Sequence, residues 1–247
     1  MFPSAAPRFD AVALPGDHYP RVIDPPRGVE TMRTKLPTAD VTWYFDTVSP
    51  FSWIALPRIE ALAAQRPVRF RPVVLGAILA HWGTVGPAEL PPKRLHTYRL
   101  SQFLAERAGL PMRFPPRHPF RSLEVQRLLT ALGGASAAVR TAFACIWQDG
   151  VDVGTPAGFA TLCDRLDIAD PAGLVAARGA KDGLRAATEA AIAAGVFGVP
   201  TLRIGAELFW GVDALPMAEA YFAAPDLFRG AAMARLADLP VGVARRG

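Results

Sequence analysis

Ser49-Pro50-Phe51-Ser52 is the segment of this chain best suited to chemistry. A hydroxyl stands immediately before a proline, and that proline opens an apolar-periodic run through Phe51, Ala55, Ile59 and Leu62. The spacing predicts a helix that begins at Pro50 with Ser49 at its N-cap. A helix start carries free N–H groups and the positive end of the dipole, so it favours an anion. A thiol held there ionises more readily, its pKa falling from about 8.5 into the range of roughly 3.5–7.5. Ser49 and Ser52 have no sulfur, so such a thiolate would come from a ligand, with Ser49 supplying a hydrogen bond. The plainer account is that Ser49 only caps the helix, and the tetrapeptide alone does not decide between the two.

Other chemistries find less support. Cys145 and Cys163 lie in apolar contexts with no C-x-x-C, which argues for reduced buried thiols rather than zinc ligands or a redox pair. His18, His81, His96 and His118 are scattered without the i, i+4 spacing of a helical metal pair, so no metal site is expected. No G-x-S-x-G surrounds Ser49, which disfavours a serine hydrolase.

The elements around Ser49 can be read from periodicity. Val41, Trp43 and Phe45 alternate as a strand that leads into the turn and the helix. Pro57 lies inside that helix and should kink or shorten it, since an interior proline costs roughly 3 kcal/mol. Residues 68–75 read as a second strand with an arginine-bearing face, completing a βαβ unit. From about 76 to 181 the pattern is helical, with segments at 94–108, 123–132, 137–148 and 157–166, the last capped by Thr155-Pro156. A helix over 184–194 stops at Gly195, and 200–204 and 207–210 form a hairpin around Gly205-Ala206. Asp213 is placed to cap a last core helix over 214–222.

Two motifs together carry a family resemblance. Ser49-Pro50-Phe51-Ser52 has the shape of the thioredoxin C-P-x-C turn with a hydroxyl in place of each sulfur, and Phe197-Gly198-Val199-Pro200-Thr201 opens the late hairpin. With the string Tyr44-Phe-Asp-Thr-Val-Ser-Pro-Phe-Ser-Trp53, the stretch from about Val41 to Phe222 resembles the kappa-class glutathione transferases. It is closer to the bacterial 2-hydroxychromene-2-carboxylate isomerases, relatives of the DsbA-type folds. The resemblance implies an α/β fold: a thioredoxin-like core with a mixed sheet and a large all-helical insertion. The domain reading is a loose extension at 1–40, a core from 41–75 with 184–227, an insertion at 76–183 and a tail at 228–247.

The resemblance also implies glutathione as cofactor, held by Ser49, Pro50 and Phe51 at the helix start. Val199, before a cis Pro200, would pair through its backbone with the cysteinyl portion. Val212 and Asp213 would meet the glutamyl end, and Lys93 the glycyl carboxylate. Thr84 stands where the family has an asparagine, and a hydroxyl lacks the reach of an amide. Arg121 replaces another family asparagine; with His118 it lies in the loop that would face the substrate, although a lone loop histidine is more often structural. Trp82, Trp147 and Trp210 read as core or cleft-wall residues.

The expected activity is a glutathione-dependent isomerisation of a small aromatic substrate, an unsaturated aromatic pyruvate, with Ser49 as the catalytic residue. A kappa-like transferase and a noncatalytic glutathione-binding module are the alternatives. A DsbA-like oxidase is disfavoured because Ser49 and Ser52 cannot form a disulfide. A net charge of +5, spread without basic blocks, argues against a nucleic-acid partner. No stretch of about 18 or more apolar residues suggests a membrane span, and the proline-rich residues 1–40 lack the apolar core of a secretory signal, so a cytoplasmic protein is expected. Met32 is an alternative start ahead of the first strand. A homodimer is compatible with the sequence, which does not set the oligomeric state.

Overall fold

The computed structural model describes residues 40–243, and the expectations for residues 1–39 and 244–247 lie outside them. Four strands form one mixed sheet in the order β2-β1-β3-β4, with β1 at Val41–Phe45, β2 at Arg69–Pro72, β3 at Thr201–Ile204 and β4 at Glu207–Trp210. β1 pairs with β2 in parallel and with β3 antiparallel, and β3 and β4 form the expected antiparallel hairpin. Gly205 sits at its turn with φ of 61°, a conformation that glycine adopts without steric cost.

The alternation in β1 separates two cores rather than core from solvent, since all five residues are buried. Val41, Trp43 and Phe45 join the main cluster with Trp53, Phe143, Trp147 and Phe209. Tyr44 faces a smaller cluster with Val73, Ile78, Ala191 and Val196. Helix α1, Pro50–Ala63, buries Trp53, Ile54, Ala55, Leu56 and Ile59 and runs through Pro57 without being shortened. Each large apolar side chain buried this way contributes roughly 1.5–3 kcal/mol, so the face as a whole outweighs the proline's cost.

The helices between the two halves of the sheet are α2 Leu75–His81, α3 Pro91–Arg107, α4 Leu123–Ala131, α5 Ser136–Phe143, α6 Pro156–Arg165, α7 Pro171–Ala176 and α8 Arg178–Ala193. After the sheet come α9 Leu215–Ala223 and α10 Ala231–Ala234. Three expectations need correction. Strand β2 ends at Pro72, because α2 already starts at Leu75. The helix expected over 137–148 is α5 followed by a π-helical segment, Ala144–Gln148, in which Asp149 N–H reaches back to Ala144 O at 3.0 Å. The insertion bounds at 75/76 and 183/184 fall inside α2 and α8 rather than in linkers. Buried residues of β1, α1, α4, α5, α6, β3, β4 and α9 share the main core, so the helical block is packed into the sheet domain rather than standing beside it.

Thr155 caps α6 as expected, accepting from Gly158 N–H at 3.0 Å. Asp213 does not cap α9: the helix starts at Leu215, and its N-cap is Ala214 with no side-chain bond. No helix among the described residues is long and apolar enough to cross a membrane.

Gln126 on α4 ties the helical block to the sheet. It is fully buried, its amide N–H groups donating to Phe45 O at 3.0 Å and Val73 O at 2.9 Å, and its carbonyl accepts from Thr47 N–H at 3.3 Å and the Thr47 hydroxyl at 3.2 Å. Gln126→Leu keeps the volume but strands these buried groups, each costing about 1–3 kcal/mol. Chemical denaturation should show a loss of about 3 kcal/mol or more, and a loss below about 1 kcal/mol would remove Gln126 as the tie.

Candidate active site

Ser49 closes the turn between β1 and α1. It is buried, in extended backbone with φ −87° and ψ 116°, and its Oγ accepts from Ser52 N–H at 3.3 Å. Capping uses a lone pair of the oxygen, so the hydroxyl proton keeps no acceptor among the described residues. Pro50 has no N–H, and the N–H of Phe51 likewise has no partner among the described residues. The helix start therefore offers one O–H and one N–H. Ser52 is sealed at 0% exposure with its Oγ unpartnered, so Ser49 is the hydroxyl of the pair that meets the cleft.

The turn itself is held from several sides. Asp46 O accepts from Ser49 N–H at 3.0 Å, Thr47 O from the Trp147 indole at 2.9 Å, and Val48 O faces His118 Nε2 at 2.8 Å. The Asp46 carboxylate accepts from Val48 N–H at 3.1 Å and Leu75 N–H at 2.9 Å. Burial pushes its carboxyl above the ordinary 3.8, against the opposing pull of the Leu75 N–H, the Ser122 hydroxyl and the Val48 N–H.

A cleft of about 810 Å³ opens beside Ser49. Of the residues named from the sequence, Ser49, Pro50, Phe51, Thr84, Lys93, His118, Arg121 and Val199 line it. Pro200, Val212 and Asp213 do not. The Val199-Pro200 bond is cis, as expected, as is His118-Pro119. Val199 N–H and C=O have no partner among the described residues, so this backbone is open to a ligand. The Thr84 hydroxyl donates to Leu79 O at 3.4 Å, and Arg121 is paired with Glu124 at 2.9 Å. Both ring nitrogens of His118 are engaged, Nε2 with Val48 O and Nδ1 with the Tyr98 hydroxyl at 2.9 Å.

Trp147 is core, whereas Trp82 and Trp210 are half-exposed cleft wall. Phe197 meets Trp210 edge to face, with centroids 5.1 Å apart. Gly198 is required beneath this pair, because a Cβ there would come within 2.6 Å of Trp210 Nε1. Cys145 and Cys163 are free and buried, and burial raises both thiols. No group of three or more His, Cys, Asp or Glu that could hold a metal occurs among the described residues.

Sequence reasoning gave no role to Asp46, Tyr98 or Gln126, and read Trp147 only as a core or cleft-wall residue. Asp46 alone carried a signal, a carboxylate at the end of a strand directly before the turn. The others reach the turn only through the tertiary fold.

Two measurements follow. Ser52→Ala removes a buried hydroxyl without a partner, so the folded state should gain about 1 kcal/mol in denaturant; a comparable loss would show that this hydroxyl is bonded. For His118, burial lowers the imidazole below 6.5, partly offset by the Val48 carbonyl and joined by the charge of Arg94. A depressed pKa means that the unfolded chain binds the proton first, so this stability is present above about 6.5 and lost as pH falls through the folded value. Wild type should therefore lose more stability than His118→Gln between about pH 7.5 and 5.5, and parallel curves would contradict the lowered pKa.

Residues 40–223 match the model of the DSBA-like thioredoxin domain. A 2-hydroxychromene-2-carboxylate isomerase of Pseudomonas putida is 30% identical over 186 residues, covering 72% of this chain and 92% of that protein. One of Sphingobium xenophagum is 27% identical over 202 residues, covering 74% and 98%. The solved structure of a 2-hydroxychromene-2-carboxylate isomerase superposes with a TM-score of 0.67 at 27% identity, covering 81% of this chain and 99% of that one. With the domain matched across both halves of its sheet, and with relatives covered over nearly their whole length, the chain belongs to the DSBA-like thioredoxin family and, within it, to the 2-hydroxychromene-2-carboxylate isomerase family.

Proposed function

We propose that this protein is a glutathione-dependent isomerase of 2-hydroxychromene-2-carboxylate-like unsaturated aromatic pyruvates. The observation that carries the reading is Ser49, which caps α1 through its oxygen and leaves its proton free at the wall of the cleft. The donors fit a thiol-bearing peptide. The Ser49 O–H and the Phe51 N–H suit a thiolate, the open Val199 backbone suits an extended cysteinyl segment, and Lys93 suits a terminal carboxylate.

Held by Ser49, Phe51, Val199 and Lys93, glutathione would supply a reversible nucleophile: its thiolate would leave a rotatable single bond where the substrate's double bond stood, and its elimination after rotation would return it unchanged. The chain's own tasks are electrostatic and positional. Ser49 and the start of α1 favour the charged sulfur over the neutral thiol, so the nucleophile is present near neutral pH. Their fixed geometry means that little reorganisation is needed as charge moves on and off the sulfur. Trp82, Phe197 and Trp210 form an apolar wall suited to an aryl ring, and the Trp82 indole is pinned by Val196 O at 2.9 Å. Arg121, shared with Glu124, is the cation offered to a substrate carboxylate. With no cysteine at the turn and both thiols buried, the chain has no means of cycling a disulfide there.

Ser49→Ala should keep the fold, raise the pKa of the bound glutathione thiol and lower turnover by about 10²–10³, the loss seen when one preorganised donor to an anion is deleted. Thiolate absorbance titrated against pH, together with initial rates, checks this. A variant matching wild type in both would leave Ser49 as a helix cap. Product analysis separates the neighbouring activities: glutathione recovered unchanged with an isomerised substrate supports the proposal, and glutathione consumed in a stable conjugate supports a transferase.

A further inference from the structure

Val48 O and Ser49 N–H are the two poles of one planar peptide unit. The N–H pole is held by Asp46 O at 3.0 Å and the oxygen pole by His118 Nε2 at 2.8 Å. With both ends tethered the plane cannot swing, and the backbone angles that aim Ser49 are fixed with it. A carbonyl oxygen only accepts, so Nε2 must carry the hydrogen. That leaves Nδ1 facing the Tyr98 hydroxyl, 2.9 Å away, whose single proton goes to His118 O at 2.7 Å and so holds the backbone that carries the ring.

The ring has little freedom beyond these bonds. It packs edge to face against Trp147 with centroids 5.4 Å apart, and against Phe114 at 6.0 Å and Phe120 at 6.1 Å. Tyr98 packs in turn on Phe114 at 4.7 Å. Tyr98 belongs to α3 and His118 to the loop before α4, so a helix of the insertion reaches Ser49 through two side chains. Although His118 borders the cleft, neither of its nitrogens is left for a substrate.

We propose that His118, oriented by Tyr98, is a positioning residue for Ser49: it locks the Val48–Ser49 peptide plane and thereby the direction of the Ser49 hydroxyl. The proposal rests on the reading of Ser49 as donor to a thiolate. Its physical content is that loosening the plane misplaces a donor whose value lies in being preorganised, and small misplacements at such a centre cost up to about 10²-fold in rate.

The test uses the full chain with His118→Leu, which removes both bonds, His118→Gln, which restores a donor near the Nε2 position, and Tyr98→Phe, which removes only the hydroxyl. Amide exchange at Ser49 N–H, read by NMR, reports on the plane independently of activity. His118→Leu should speed that exchange about tenfold and lower kcat about tenfold to hundredfold while the glutathione KM moves less than about twofold. His118→Gln should recover most of both, and Tyr98→Phe should fall between. If His118→Leu matches wild type in exchange and kcat, or His118→Gln is as impaired as His118→Leu, the proposal is overturned. Should His118→Leu not fold, Tyr98→Phe decides alone, and Ser49 exchange unchanged from wild type overturns it. Failure of the underlying reading looks different: Ser49→Ala would retain turnover while His118→Leu still loosened the Ser49 amide.

Discussion

Everything in this site depends on the immobility of five residues, Phe45 to Ser49. The carbonyls of the first four are each taken by a different side chain or amide: Phe45 O by Gln126, Asp46 O by Ser49 N–H, Thr47 O by Trp147 and Val48 O by His118. Three of these four partners come from the helical block rather than from the sheet. A loop carrying a hydroxyl at the edge of a cleft would ordinarily sample several conformations. Here the bonds lie in buried or partly buried surroundings, where breaking one strands a polar group at about 1–3 kcal/mol. The turn is thus rigid for the same reason that the insertion stays packed on the sheet.

That arrangement explains why the insertion shares a core with the sheet. Trp147 enters from the π-helical segment, whose wider turn reaims a side chain relative to the preceding helix. Its indole lies in the main core while its N–H serves the turn, so apolar burial and polar positioning are done by one residue. Asp46 shows the opposing cost. Holding a carboxylate among Val48, Leu75 and Ser122 orders three segments at once, yet burial disfavours its charge. Both effects follow from closing the turn against solvent.

Much of the scaffold was legible in the sequence because it rests on local rules. The hairpin around Gly205, the cap at Thr155 and the proline-started α1 each follow from a few neighbouring residues. The wall from Ser49 to Phe51 and the cis Val199-Pro200 bond were legible through two short motifs. What local rules miss is where tertiary packing overrides them. Pro57 leaves α1 at full length because a face of large side chains is buried along it, and Asp213 misses its cap because α9 starts one residue later than the spacing suggested. The clamp on the turn was illegible for a related reason. Gln126, Trp147, His118 and Tyr98 lie 49 to 98 residues from Ser49 and share no spacing with it; only the folded chain brings them together.

The central claim is that the start of α1, with Ser49, stabilises a ligand's thiolate, and proton release on binding tests it most directly. Calorimetric titration of glutathione into the protein near pH 7, in two buffers of different ionisation enthalpy, counts the protons given up per ligand bound. The account predicts net release approaching one proton with glutathione and none with its S-methyl derivative, because a free thiol with a pKa of about 8.5 is mostly protonated at that pH and would ionise on entering the site. Binding of both ligands with no difference in proton release would contradict it.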